Sequence, residues 1–214
     1  MEPVNGKRIG FVPGQFVFLH ALDAQGKSFE KRPYSITSSP SPDIPYLEFC
    51  IKMLKGSFTG KLERMETGST LGVEGPFGHF TYTGQKRSAF IAGGTGLAPF
   101  MSMLRHIAER RLGEEFILFY SAKTQADVAY GEELARLQKQ NTAIRVIITL
   151  TQEKPAQWEG EYGRICEETI AKYVKDAGSF DWWICGPMAM VKGMKECLVG
   201  LKADPKRIRA EGWG

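Results

Sequence analysis

The run Arg32-Pro33-Tyr34-Ser35-Ile36-Thr37-Ser38 puts a fixed cation, a phenol and several hydroxyls within a few consecutive residues. Pro33 favours an extended chain, and alternate side chains of a strand share a face, so Arg32 and Tyr34 are expected to point the same way. A guanidinium is a rigid fork of donors suited to phosphate. A tyrosine offers a ring face for stacking and a phenol for hydrogen bonding, and Ser35 can donate to a ring nitrogen. The pairing suits a ligand with a pyrophosphate and a flat ring. Further on, Gly56-Ser57-Phe58-Thr59-Gly60 precedes a short helical stretch. Its glycines permit close backbone approach, Thr59 fits an N-cap, and the free amides of a first helical turn favour an anion.

Two more motifs carry the same kind of chemistry. Gly93-Gly94-Thr95-Gly96 lies between an apolar strand and a helical pattern. That is the context in which a glycine-rich turn holds a pyrophosphate against backbone amides. Pro99 is tolerated in the first helical turn, where its missing donor is not needed. Cys185-Gly186-Pro187-Met188 closes a strand and opens a helix, with Gly186 and Pro187 supplying the tight turn. Ser121, Lys123 and Tyr130 follow another apolar strand, at the end where ligands settle in open parallel sheets. Lys123 is read equally well as a solvated loop lysine, and His79 as an ordinary polar residue.

The elements that must position these residues fall into two groups. Before Gly84 the chain shows short strands separated by turns, over residues 15–20, 34–37, 46–53 and 70–74, with one helix over 59–65. Several short strands at this spacing suggest an antiparallel barrel. After Gly84, strand-length apolar runs at 89–92, 116–120, 144–150 and 182–185 alternate with helical patterns. These are marked by Leu97, Met101, Leu104 and Ile107, by Leu134 and Leu137, by Ile170 and Val174, and by Val191, Met194 and Leu198. Alternating strands and helices predict a parallel sheet covered on both faces, and a last strand is expected over 208–210. The expected organisation is an N-terminal antiparallel β-barrel over residues 1–84 followed by an α/β nucleotide-binding domain over 85–214.

The chain has 214 residues, 43% of them hydrophobic, and a net charge of +4 from 28 basic and 24 acidic side chains. The charges are interspersed, so a nucleic-acid partner is not implied. No apolar run is long enough to span a bilayer, no signal-like segment follows Met1, and a cytoplasmic protein is expected. Cys50, Cys166, Cys185 and Cys197 form no Cys-x-x-Cys pair and lack iron–sulfur spacing, so no metal site is expected.

The three motifs, in this order, resemble the ferredoxin–NADP reductase superfamily of flavin- and nicotinamide-dependent reductases, and the resemblance covers nearly the whole chain. It implies FAD held by Arg32, Pro33, Tyr34 and Ser35 on the strand and by Ser57, Phe58 and Thr59 in the loop. Ile51 and Lys52 would line the adenylate-side groove. NADH or NADPH would lie on Gly93, Gly94, Thr95 and Gly96, with Ser121, Lys123 and Tyr130 at its adenosine end. Lysine stands where relatives commonly use arginine, so the two coenzymes are not separated. Cys185, Gly186, Pro187 and Met188 would frame the nicotinamide, and Trp213 would cover the flavin face. Ser35, Thr95, Cys185 and Glu211 are the residues expected nearest the transferred hydride. The partner implied is an electron acceptor: a ferredoxin, a flavodoxin or an oxygenase component. Two alternatives stay open, an electron-input module of a larger oxygenase or reductase and a nucleotide-binding regulatory module without flavin. Only twelve residues precede Pro13, where relatives carry a longer strand, which implies a shortened first strand or a truncated piece.

Overall fold

The computed structural model describes residues 1–4, 8–112 and 114–213. Strands β1 (Phe16–Leu22), β2 (Ser28–Ser35) and β3 (Gly72–Phe77) form an antiparallel sheet in the order β2-β1-β3. β1 alternates: Val17, Leu19 and Ala21 are buried, while Phe16, Phe18 and His20 take the half-covered opposite face. The buried set packs with Ile36, Leu47 and Phe58 into a small core. β3 was expected over 70–74, and it runs past Gly75 to Phe77. Its proline is tolerated because β3 is an edge strand and no neighbour needs the missing amide.

Three further expectations in this half are corrected. Residues 46–53 do not form a regular strand; a single antiparallel bridge joins Ile36 to Phe49, and Leu47 exchanges both backbone hydrogen bonds with Met1, each 2.8 Å. Leu47, Phe49 and Ile51 do face the core. The alternation therefore reports side-chain burial and not ladder pairing. The helix α1 spans Ser57–Leu62, not 59–65, with Gly56 in the cap position. Starting there sets Phe58 and Leu62 one turn apart on the core-facing side. Thr59 consequently lies inside the helix, its hydroxyl donating back to the Leu54 carbonyl, and is not the N-cap.

The second half contains β4 (Arg87–Gly93), α2 (Ala98–Glu109), β5 (Glu115–Ala122), α3 (Gly131–Gln140), β6 (Ile144–Leu150), β7 (Glu161–Tyr162), α4 (Glu167–Tyr173), β8 (Asp181–Pro187), α5 (Met188–Gly200) and β9 (Ile208–Trp213). Its six strands are parallel, in the order β7-β6-β5-β4-β8-β9. On one face α2 and α3 pack over Phe90, Leu118 and Trp183. On the other, α4 and α5 pack over Ile91, Phe119 and Ile184. The strand order reverses at β4, whose neighbours are β5 and β8, so the carboxyl end of β4 lies at a crevice.

The halves are fastened by one face of α2. Ser102, Arg105 and Glu109 recur at helical spacing and meet residues 37–39. Ser102 Oγ donates to the Ser38 carbonyl at 2.7 Å, and Ser39 Oγ donates to Glu109 Oε2 at 2.5 Å. Arg105 grips Glu133 of α3 with Nε and Nη2, at 2.7 and 2.8 Å. It also donates to the Thr37 carbonyl at 2.8 Å and to Glu48 Oε1 at 3.0 Å. Its side chain is 14% exposed. Burial opposes ionisation of Glu48, but hydrogen bonds from Arg105 and Tyr130 outweigh it and hold the carboxyl below 4.5.

Arg105→Met is expected to destabilise the protein by about 2–3 kcal/mol, less than for a fully buried pair because Glu48 stays partly solvated. The folded-state pKa of Glu48 is depressed. Its contribution is therefore full above its unfolded value of 4.5 and is lost as pH falls through the lower folded value. Unfolding midpoints followed from about pH 6 to about pH 3 should fall less steeply in the variant than in the parent.

Candidate functional site

A cavity of 830 Å³ opens where the two halves meet. Cys50, Ile51 and Lys52 contribute its wall from the antiparallel half. The strand ends of the parallel sheet contribute Gly93, Gly94 and Thr95 after β4, Ser121 and Lys123 at β5, Pro187 at β8 and Trp213 at β9. Nine of the residues singled out in the sequence therefore share one surface: Ile51, Lys52, Gly93, Gly94, Thr95, Ser121, Lys123, Pro187 and Trp213. Gly94 adopts a left-handed backbone with φ +54°, and open space lies where a Cβ would project. Trp213 pairs with Pro187 in the β8–β9 ladder.

Other expected residues lie behind the wall. A Cβ on Gly96 would sit 2.1 Å from the Cys185 carbonyl oxygen, so the β4–α2 turn rests directly on β8. Cys185 is buried, and burial pushes its thiol up to about 12, with the Glu211 carboxylate adding to the effect. A thiol held there is neutral and is no nucleophile near neutral pH. Glu211 stands beside Cys185 across the ladder, and burial raises its carboxyl as well. Gly186 packs under Met190; of the two methionines the sequence places beside the coenzyme, Met190 lines the cavity, whereas Met188 is 54% exposed and off the wall. Tyr130 is likewise not on the cavity wall. Its hydroxyl donates to Glu48 Oε1 at 2.9 Å and its ring lies 5.3 Å from the Arg105 guanidinium, so it belongs to the fastening between the halves.

The Arg32 motif forms a separate cluster. Glu30, Arg32 and Tyr34 share a face of β2, as their two-residue spacing requires. Arg32 Nη2 lies 2.8 Å from Glu30 Oε1. Ser57 Oγ donates to both Glu30 oxygens, at 2.7 and 2.9 Å. The Tyr34 ring lies 5.9 Å from Phe58 at 31°. Burial raises its phenol pKa, with Arg32 opposing and Glu30 reinforcing the shift. Pro33 and Ser35 stay in the ladder with β1, opposite Phe18 and Phe16.

Arg164 was missed in the sequence. It follows the two-residue strand β7 and lines the cavity with Thr151 and Gln152. A strand that short leaves no periodicity to detect. Asp127 also reaches the wall, but its carboxylate accepts from the Thr124 amide and hydroxyl, at 3.1 and 2.8 Å. Hydrogen bonds from Thr124 hold that carboxyl low, and Lys52 and Lys123 add to the effect. The cavity thus presents three cations, Lys52, Lys123 and Arg164, against one anion that is already engaged.

The pattern of an oxidoreductase FAD-binding domain matches residues 3–82, and that of an oxidoreductase NAD-binding domain matches residues 90–196. Ferredoxin–NADP reductase B of Sorangium cellulosum is 31% identical over 96% of this chain and 86% of its own length. The chain belongs to the ferredoxin–NADP reductase superfamily. The anthranilate 1,2-dioxygenase electron transfer component of Acinetobacter baylyi is 34% identical over 90% of this chain and 55% of its own length. The chain therefore spans little more than half of that relative. The fold matches ferredoxin NADP+ reductase of Neisseria gonorrhoeae, solved with bound FAD and NADP. The TM-score is 0.80, at 22% identity over 99% of this chain and 89% of that one. The matched FAD-binding and NAD-binding domain patterns give this chain's cofactors as FAD and NAD(P)H, and the open glycine turn, the cationic cavity and the Arg32–Tyr34 face fit them. Among the described residues no helix is long and apolar enough to cross a membrane.

Gly96→Ala is expected to cost about 1–3 kcal/mol, because the added methyl meets backbone that cannot rotate away. Urea unfolding with an unchanged m-value and a lower midpoint would register it. A matching Gly94→Ala change adds no clash, and its cost comes from the left-handed backbone alone.

Proposed function

We propose that this chain is a flavin-dependent NAD(P)H oxidoreductase that passes hydride from nicotinamide to FAD and electrons on to a protein or small-molecule acceptor. Residues 1–84 would hold the flavin and residues 85–214 the coenzyme. The observation that carries this reading is the cavity walled by both halves, with the β4 glycine turn on one side and residues 50–52 on the other. Its volume lies within the range of small-molecule sites.

When bound, the flavin supplies the conversion between two-electron and one-electron chemistry. The chain's own residues supply binding and orientation. Gly93 and Gly94 offer backbone amides to the coenzyme pyrophosphate, and Thr95 stands at the transfer end of the turn. Ser121, Lys123 and Arg164 receive the adenosine end. Cys185, kept neutral, shapes the floor, Glu211 provides a polar edge, and Trp213 closes the cavity against water. Arg32 and Ser57 receive the flavin phosphates, Tyr34 stacks on the ring system and Ser35 donates to it. The rate would rest on holding the two rings in contact.

The acceptor in this proposal is a redox protein such as a ferredoxin, a flavodoxin or an oxygenase component, met in the cytoplasm. The dioxygenase electron transfer relative supports a second reading, the electron-input module of a larger system. Steady turnover with a soluble artificial acceptor, but none with physiological acceptors alone, would favour that module.

The visible spectrum of the purified protein should show a flavin band that NADH or NADPH bleaches anaerobically. A preparation that stays colourless with added FAD, yet binds pyridine nucleotide, would replace this reading with a regulatory nucleotide-binding module. Arg164→Ala is expected to raise the KM for NADPH about tenfold, the loss of one charge-assisted hydrogen bond. The KM for NADH should change less. Equal changes for the two coenzymes would place Arg164 on a phosphate they share.

A further inference from the structure

The donors that the flavin reading assigns to phosphate are not free. Glu30 takes Arg32 at 2.8 Å and the Ser57 hydroxyl at 2.7 and 2.9 Å. Its side chain is 15% exposed, whereas that of Arg32 is 54% exposed. The acid is thus the inner member of the cluster, with the cation capping it toward solvent. Two-residue spacing along β2 fixes Glu30 on the ligand-facing side with Arg32 and Tyr34, so it cannot turn to the opposite face of the sheet without a register shift. Any phosphate that engages Arg32 and Ser57 must displace this carboxylate or settle beside it.

We propose that Glu30 is the specificity-determining residue of the flavin-phosphate subsite: it competes for Arg32 and Ser57, and it selects the diphosphate of FAD against the terminal monophosphate of FMN. This rests on the flavoprotein reading above. A terminal phosphate monoester carries a charge of about −1.5 to −2 near neutral pH. In a diphosphate bridge each phosphate carries a single charge, and that charge is spread along the chain. Beside a fixed carboxylate the more concentrated charge is penalised more. With Glu30 in place the Arg32 cation is already neutralised, so the subsite has little net charge to offer a dianion.

The test is a titration of flavin-stripped protein with FAD, FMN and riboflavin at low salt, followed by quenching of flavin fluorescence, in the parent, Glu30→Gln, Glu30→Ala and Arg32→Ala. The parent is expected to prefer FAD to FMN. Both Glu30 variants should bind FMN about tenfold or more tighter, an effect of one removed like charge. FAD should tighten by less, and riboflavin, which has no phosphate, should be unaffected. Arg32→Ala should weaken FAD and FMN alone. Unchanged FMN affinity in Glu30→Gln, weaker binding of both nucleotides, or a riboflavin shift as large as that of FMN would overturn the proposal. Thermal unfolding of each variant separates loss of fold from loss of subsite, and Glu30→Ala serves if Glu30→Gln is unstable. If the parent binds none of the three flavins, the flavoprotein reading itself fails and this inference falls with it. Flavin binding by the parent with no Glu30 effect removes only the inference.

Discussion

The structure depends most on a single guanidinium. Arg105 reaches from α2 to two carboxylates and a backbone carbonyl, and two of those three acceptors, Glu48 and Thr37, lie in the other half of the molecule. A buried ion pair of this kind adds little to stability over a well-packed apolar substitute. Its geometric effect is larger. A planar fork of donors fixes direction as well as distance, so the antiparallel half has few orientations available against the parallel sheet. The cavity needs that constraint, because Cys50, Ile51 and Lys52 sit two to four residues beyond Glu48 on the same extended segment. Holding Glu48 holds the wall.

The opposite wall is set by sheet topology and close packing. Parallel strands that run in register bring Gly93 level with Ser121, and Pro187 level with Trp213. Residues far apart in the chain thus meet at one edge of the sheet without long side chains to reach across. The β4–α2 turn can sit there only because Gly96 lets it touch β8 backbone directly. One missing side chain therefore sets the glycine turn next to the buried Cys185 and its half-buried neighbour Glu211. Burial and the Glu211 carboxylate keep that thiol neutral behind the cavity wall.

Much of the parallel half was legible because its strands are covered on both faces. Phe116 to Tyr120 and Trp182 to Cys185 read as unbroken apolar runs, and the helices between them show one buried stripe each. The antiparallel half was read less well. Leu47, Phe49 and Ile51 alternate like a strand and face the core, yet the ladder is a single bridge, because periodicity records burial and carries no information about backbone partners. Tyr130 looked like a ligand residue by position after β5, but its phenol is drawn to Glu48, a partner 82 residues away that no local pattern announces. Arg164 was hidden by the shortness of β7, and the pairing of Glu30 with Arg32 and Ser57 by the ordinary appearance of an acid two residues before a conspicuous arginine.

The two ligand-facing regions differ in how their charge is managed, and the difference follows from the work each is proposed to do. At the strand ends Lys52, Lys123 and Arg164 face the cavity, while the nearby Asp127 is tied to Thr124 and cannot neutralise them all. Such a surface attracts an anionic coenzyme from solution and speeds its arrival. It also weakens with salt, which suits a molecule that must leave after each transfer. On β2 the cation is already matched by Glu30, so long-range attraction is small and recognition rests on short contacts: Tyr34 against Phe58, the Ser57 hydroxyl, and the fit of the phosphate itself. A group that stays bound gains nothing from fast capture and much from shape. In the proposed reading, open charge lies where exchange would be required and internally balanced charge where retention would be, an arrangement by which one small protein would turn over one nucleotide while keeping another.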